Sequence, residues 1–117
     1  MNGPRCLIVD DSAAFRDAAR SMLERGGIEV VGTACDAAEA MRRAEELHPD
    51  VALVDVDLGA ESGFDLAEQM GSVPVILTST HDEQDFADLI AASPALGFLP
   101  KLALSPLAVR QLLNRVP

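Results

Sequence analysis

Cys6-Leu7-Ile8-Val9-Asp10-Asp11-Ser12 decides how this chain is read. Four consecutive apolar residues are halted by two carboxylates. A run that short, without polar alternation, fits a strand covered on both faces, the kind a parallel sheet uses. From Ser12 to Arg25 the apolar residues Phe15, Ala18, Ala19, Met22 and Leu23 recur at helical spacing, and Gly26-Gly27 ends that helix. Ile28 to Ala34 is β-branched and strand-like. Asp36 caps a helix through Met41, Ala44 and Leu47, which stops at His48-Pro49.

The alternation continues to the end of the chain. Val51-Ala52-Leu53-Val54 is a third apolar run, again closed by an acid, Asp55. A loop with Gly59 and Gly63 leads to a short helix, Phe64 to Met70. Pro74 opens a fourth strand, Val75-Ile76-Leu77, which ends in Thr78-Ser79-Thr80. A helix starting at Asp82 or Glu83 places Phe86, Leu89 and Ile90 in the core. Gly97-Phe98-Leu99-Pro100 is a short fifth strand, and Pro100, which lacks an N–H, favours a sheet edge for it. Ser105 caps a last helix with Pro106 at its first position and Leu107, Leu112 and Leu113 facing inward. Five strands alternating with five helices predict one α/β domain over residues 1–117, with a parallel sheet and helices on both faces.

Composition narrows the function. The 117 residues are 49% hydrophobic, which excludes a disordered segment, and 3% aromatic, with no Trp or Tyr. A base-stacking surface needs aromatic faces. The net charge of −10 repels nucleic-acid backbones and anionic lipid, so neither DNA nor a membrane is an expected direct partner. Cys6 and Cys35 have no neighbouring ligand residues and read as two reduced, buried thiols. No stretch approaches the about 18 apolar residues of a membrane span. A soluble, cytoplasmic protein is expected.

In a parallel sheet all the strand C-termini share one rim, where ligands bind. This chain puts Asp10 and Asp11, Thr33, Asp55 with Asp57 beyond it, Thr78-Ser79-Thr80 and Lys101 at that rim. Two like charges ~4 Å apart cost about 4 kcal/mol at an effective dielectric of 20. A hard divalent cation such as Mg²⁺ relieves that repulsion and bridges to phosphate oxygens. A carboxylate beside it can act as a nucleophile toward phosphorus. Lys101 is the chain's one lysine among nine basic residues. Its compact ammonium is a point-charge phosphate binder that the guanidinium fork of arginine does not mimic.

These residues resemble the receiver domains of two-component response regulators. The resemblance covers about residues 4 to 114. It rests on Ile8-Val9-Asp10-Asp11, on Leu53-Val54-Asp55 with Gly63 eight residues later, on Val75-Ile76-Leu77-Thr78-Ser79, and on Gly97-Phe98-Leu99-Pro100-Lys101. It implies a flavodoxin-like five-stranded sheet in the order 2-1-3-4-5. It implies that Asp55 accepts a phosphoryl group from a sensor histidine kinase in a Mg²⁺-dependent reaction. Asp11 is then a direct metal ligand, Asp10 acts mostly through water, and Asp55 and the backbone carbonyl of Asp57 complete the protein's share. Lys101 pairs with the phosphate or with Asp55. Ser79, five residues after Pro74 and 22 before Lys101, is the switch hydroxyl, and Phe98 takes the aromatic switch position. The implied role is a phosphoacceptor signalling domain and not an enzyme, acting on an output partner or in transcription regulation. A second copy of the chain is an optional partner.

Three features depart from the family pattern. Gly59 stands where a proline is frequent, which predicts a looser loop. Leu102 replaces the proline that often follows the lysine, leaving the isomer of the Lys101–Leu102 bond open. The ending resembles LuxR/NarL-type receivers, which carry a helix-turn-helix domain, so the chain is read as either a truncated form or a stand-alone receiver. The alternative is a Mg²⁺-dependent phosphatase of the haloacid dehalogenase type, suggested by the spacing Asp55-Val56-Asp57. Against it, that motif normally closes the first strand. A flavin-binding flavodoxin would need a phosphate loop where Asp10-Asp11 stands. His48, at a helix end, and His81, two residues past Ser79, are read as a capping cation and a solvated loop residue.

Overall fold

The four long apolar runs become adjacent parallel strands because each can be covered on both sides only inside a layered fold. In a computed structural model, described over residues 3–115, β1 (Arg5–Val9), β2 (Glu29–Ala34), β3 (Val51–Asp55), β6 (Val75–Ser79) and β7 (Gly97–Pro100) form one sheet. The order is β2-β1-β3-β6-β7, which is 2-1-3-4-5 when these strands alone are counted. All pairings are parallel. The short fifth strand, β7, lies at the edge, as Pro100 suggested.

The helices α1 (Ala13–Arg25), α2 (Ala37–Leu47), α3 (Gly63–Gln69), α4 (Ala87–Ala92) and α5 (Pro106–Leu113) divide between the two faces. Alternation along each strand makes the division. Cys6, Ile8, Leu53 and Ile76 point to the side where Ala19 and Leu23 of α1 and Val109 and Leu112 of α5 are buried. Leu7, Val9, Val54 and Leu77 point to the other, with Ala40 and Ala44 of α2 and Leu66 and Ala67 of α3. A fully buried Leu, Ile or Val is worth roughly 1.5–3 kcal/mol relative to exposure, so the central strands carry most of the driving force.

Local signals set the helix ends. Ser12, Asp36, Ser62 and Ser105 each accept a backbone N–H of the first turn they cap. The α1 helix closes with Gly27 at φ +86°, and Ile28 N–H donates to Leu23 O at 3.0 Å. The α2 helix closes on His48, itself at φ 48°.

Several expectations are corrected. The loop after Asp55, expected to be loose, folds as a small antiparallel hairpin of β4 (Asp57–Leu58) and β5 (Glu61–Ser62). Gly59 turns it at φ +77°, and primed hairpin turns need a positive φ there. Cys35 is exposed, not buried, because it lies past the end of β2; Cys6 is buried. Leu107 is exposed: it precedes Val109 by two residues, roughly 200° round the helix, and so leaves the buried stripe. Leu89 is also exposed, while Phe86 and Ile90 are partly buried. The segment before α4 is a 3-10 turn, Glu83–Phe86, without a side-chain cap. All peptide bonds in the described residues are trans, including Lys101–Leu102. Among those residues no helix is long and apolar enough to cross a membrane.

Candidate functional site

Register brings the acids together. Val9 pairs with Val54, so the next rung up places Asp10 beside Asp55 at the ends of the two central strands. Asp10 is fully buried and Asp55 is 6% exposed, whereas Asp11 faces solvent. One carboxylate oxygen from each of the three lies within 4.8 Å of the others. Lys101, just past β7, reaches across to them. Its Nζ stands 2.7 Å from Asp10 Oδ2 and 3.3 Å from Asp55 Oδ2.

Asp10 and Asp55 are each held by a backbone donor on the other carboxylate oxygen. Ser12 N–H donates to Asp10 Oδ1 at 2.8 Å, and Asp57 N–H donates to Asp55 Oδ1 at 3.1 Å. Arg16 Nη1 donates to the Asp10 carbonyl at 2.6 Å. Asp10 Oδ2 is different. It is buried and receives no well-directed hydrogen bond, its close partner being the Lys101 ammonium.

Three carboxylates against one ammonium leave local negative charge in a half-buried site. Burial pushes the Asp55 carboxyl above its ordinary pKa. The Asp57 N–H opposes that push, the charge of Asp10 adds to it, and Lys101 only partly offsets it. Burial alone would lower the Lys101 pKa, but the bonds and charges of Asp10 and Asp55 outweigh it and hold the ammonium above its usual value. The lysine therefore keeps its charge, and Asp55 bears the cost of proximity. The donor set is all hard oxygen, and one buried oxygen lacks a proper donor. Both fit a hard divalent cation.

The remaining predicted residues are placed as follows. Asp57 is exposed in β4, and its Oδ1 accepts Gly59 N–H at 3.1 Å. Ser79 ends β6 one residue past Thr78, the register partner of Asp55. It is buried, and its Oγ accepts His81 N–H at 3.0 Å. Among the described residues Ser79 makes no side-chain hydrogen bond to Asp55. Phe98 is buried, with its ring 6.1 Å from that of Phe86, which in turn lies 5.8 Å from Phe64 and 6.1 Å from His81. His81 is thus exposed but in ring contact. His48 closes α2 at the opposite end of the sheet, where its carbonyl accepts Arg5 Nη1 at 2.9 Å.

Sequence reasoning missed Arg16 and Phe15. Arg16 carried no signal beyond charge. Phe15 was assigned to a helix face, yet the Lys101 Nζ sits 4.2 Å from its ring centroid. No local pattern connects residues so far apart in the chain.

The family described as response regulator receiver domain matches residues 6–116. Among curated proteins, a protein-glutamate methylesterase/protein-glutamine glutaminase of Methanosarcina acetivorans is 44% identical over 80 residues, 65% of this chain and 23% of that protein. The transcriptional regulatory protein PdtaR of Mycobacterium tuberculosis is 31% identical over 100 residues, 83% of this chain and 49% of that protein. The chain thus spans from a quarter to half of these relatives' lengths. Among solved structures, the signal receiver domain of a response regulator described as NarL, from Mycobacterium tuberculosis, superposes with a TM-score of 0.87 at 29% identity, covering 98% of this chain and 99% of that one. A LuxR-family two-component response regulator from Aurantimonas sp. SI85-9A1 gives 0.82 at 28% identity, covering 94% and 81%.

Proposed function

The chain belongs to the response regulator receiver domain family, and from that premise we propose that it is a phosphorylation-controlled signalling module whose phosphoacceptor is Asp55. The observation that supports this reading is the ammonium of Lys101 shared between Asp10 and Asp55 at the ends of neighbouring central strands. In the proposed step a carboxylate oxygen of Asp55 attacks the phosphorus of a phosphohistidine on a sensor histidine kinase. The P–N bond breaks as the P–O bond forms, and the kinase histidine, already protonated on its other ring nitrogen, leaves as neutral imidazole. Lys101 moves its positive charge onto the incoming phosphoryl oxygens. The Asp57 N–H holds the attacking carboxylate in place.

Asp10, Asp11, Asp55 and the Asp57 carbonyl are the groups that would hold a Mg²⁺ ion. When bound, the ion neutralises charge on the phosphoryl oxygens. Ser79 would donate a hydrogen bond from its hydroxyl to one of those oxygens after its loop moves inward, and Phe98 would follow into the space left behind. The output is a separate partner or a DNA-binding domain, a histidine kinase is the input, and the setting is cytoplasmic. Self-association is a further property for solution measurement.

The phosphatase alternative is not favoured. Asp57, its required second acid, is turned to solvent and engaged with Gly59. The methylesterase chemistry in one relative's name stays with that protein, of which the matched stretch is 23%.

Incubation with acetyl phosphate and Mg²⁺, borohydride trapping and mass spectrometry test the assignment. Label is expected on Asp55 and absent from Asp55→Asn; label on Asp57 overturns it. Amide shifts on Mg²⁺ titration should begin at Asp10, Asp11 and Asp55, and unchanged Mg²⁺ affinity in Asp11→Ala counts against the ligand set.

A further inference from the structure

Lys101 is held from three directions, and only two of them are acidic. The third is the ring face of Phe15, whose centroid is 4.2 Å from Nζ. Phe15 lies in the first turn of α1, where its N–H is the donor to the Ser12 cap. It is half-buried at the edge of the core on the α1 and α5 side. The chain has four Phe and no other large aromatic residue. Phe64, Phe86 and Phe98 form a continuous run of rings on the other face. Phe15 stands apart from them, against the single lysine.

We propose that Phe15 is a positioning residue for Lys101, its ring face seating the ammonium above the Asp10–Asp55 pair so that phosphoryl oxygens meet it already in place. This rests on Asp55 being the phosphoacceptor. The physical case has three parts. A lysine stem carries about 2 kcal/mol of rotamer entropy, so an unguided ammonium swings toward water. With the ring 4.2 Å away, Lys101 Nζ stands within reach of both acids, 2.7 Å from Asp10 and 3.3 Å from Asp55, rather than in solvent. A ring face attracts a cation without neutralising it or competing for its hydrogen bonds, which leaves the charge available to the phosphoryl group. A Leu or Met would fill the same core edge. Only an aromatic face gives the attraction.

The lone lysine makes the test clean, because its ε-CH2 group gives one NMR signal. In the wild type that signal is expected upfield of an exposed lysine through the Phe15 ring current. It should return toward the exposed position in Phe15→Leu and Phe15→Met, and stay upfield in Phe15→Tyr. At saturating Mg²⁺, the rate of acetyl phosphate labelling at Asp55 should fall about three- to tenfold in the two aliphatic variants. It should recover in Phe15→Tyr, with the Mg²⁺ midpoint the same in all four proteins. An unmoved ε-CH2 signal in Phe15→Leu, or Phe15→Tyr labelling as slowly as Phe15→Leu, overturns the proposal. If the wild type takes no label on Asp55, the phosphoacceptor reading fails instead, and the ring-current result alone decides whether the seat exists.

Discussion

Gly63 lies so close to the carbonyl of Asp55 that a single added methyl would collide with it and with the Cα of Val56. The Gly63 N–H also donates to Val56 O at 2.9 Å. The start of α3 is thus pressed onto the backbone that carries the central acid. The spacing of eight residues between Asp55 and Gly63 is a packing requirement: the β4–β5 hairpin leaves and returns within that distance.

Gly63→Ala is expected to lose about 1–3 kcal/mol of stability, the usual cost of forcing atoms into a filled site. Urea unfolding followed by circular dichroism measures it. A change under ~0.5 kcal/mol would mean that the contact relaxes freely and does not hold Asp55.

The strain of charge at Asp55 has a sign that can be read in pH. A carboxyl whose folded pKa is raised loses stability as pH climbs from its unfolded value of 3.8 through the folded one. Asp55→Asn has no such loss. In metal-free buffer at pH 7 the variant is expected to be the more stable of the two, with the higher Tm. The advantage should fade as the pH is lowered toward 4. An advantage independent of pH would refute the electrostatic cause.

Cys6 gives a second pH dependence at the alkaline end. Burial pushes its thiol from 9.0 up to about 12. The folded protein therefore holds a proton that the unfolded chain releases, and stability falls as pH rises through that window, by up to roughly 1.4 kcal/mol per unit. Cys6→Ala should be less stable at pH 7 by about 1 kcal/mol for the atoms removed, with the gap closing near pH ~10 and the order reversing by about pH 11. Parallel stability–pH curves for the two proteins would show that the thiol does not titrate in this way.

Phe98 has no hydroxyl to anchor it in either of two positions, so their energies should lie close and the switched state should be populated without phosphate. Relaxation-dispersion NMR on the unphosphorylated protein should show exchange at Ser79 and Phe98, weaker in Phe98→Tyr. Equal or stronger exchange in Phe98→Tyr contradicts the mechanism.

Where the fold could be read ahead, the reason was burial. Runs such as Ile8-Val9 and Leu53-Val54 have no environment except the middle of a covered sheet, and the acids that stop them had to gather at one rim. The hairpin at Asp57–Ser62 was invisible because two-residue strands have no apolar pattern. Exposure at Leu107 depended on which turn of α5 meets the sheet, and that was a question of phase: Val109 fixes it. Within the site, Asp10, Asp55 and Lys101 followed from strand ends alone. The ring of Phe15 over the ammonium depended on how α1 leans toward a loop 86 residues later, which nothing local encodes.

The edge position of Pro100 has a consequence for its neighbour. β7 pairs with β6 on one flank and, among the described residues, has no strand on the other, so half of its peptide groups face outward. Residue 100 is proline, opposite Ser79 in the register. Ser79 turns its own N–H and carbonyl toward β7 in that register, so the groups of residue 100 face away from β6. On its other flank β6 stays fastened, through Val56 N–H to Thr78 O at 2.9 Å. A further extended chain reaching for that open edge meets no N–H at residue 100, so the rim beside Ser79 is guarded against strand addition.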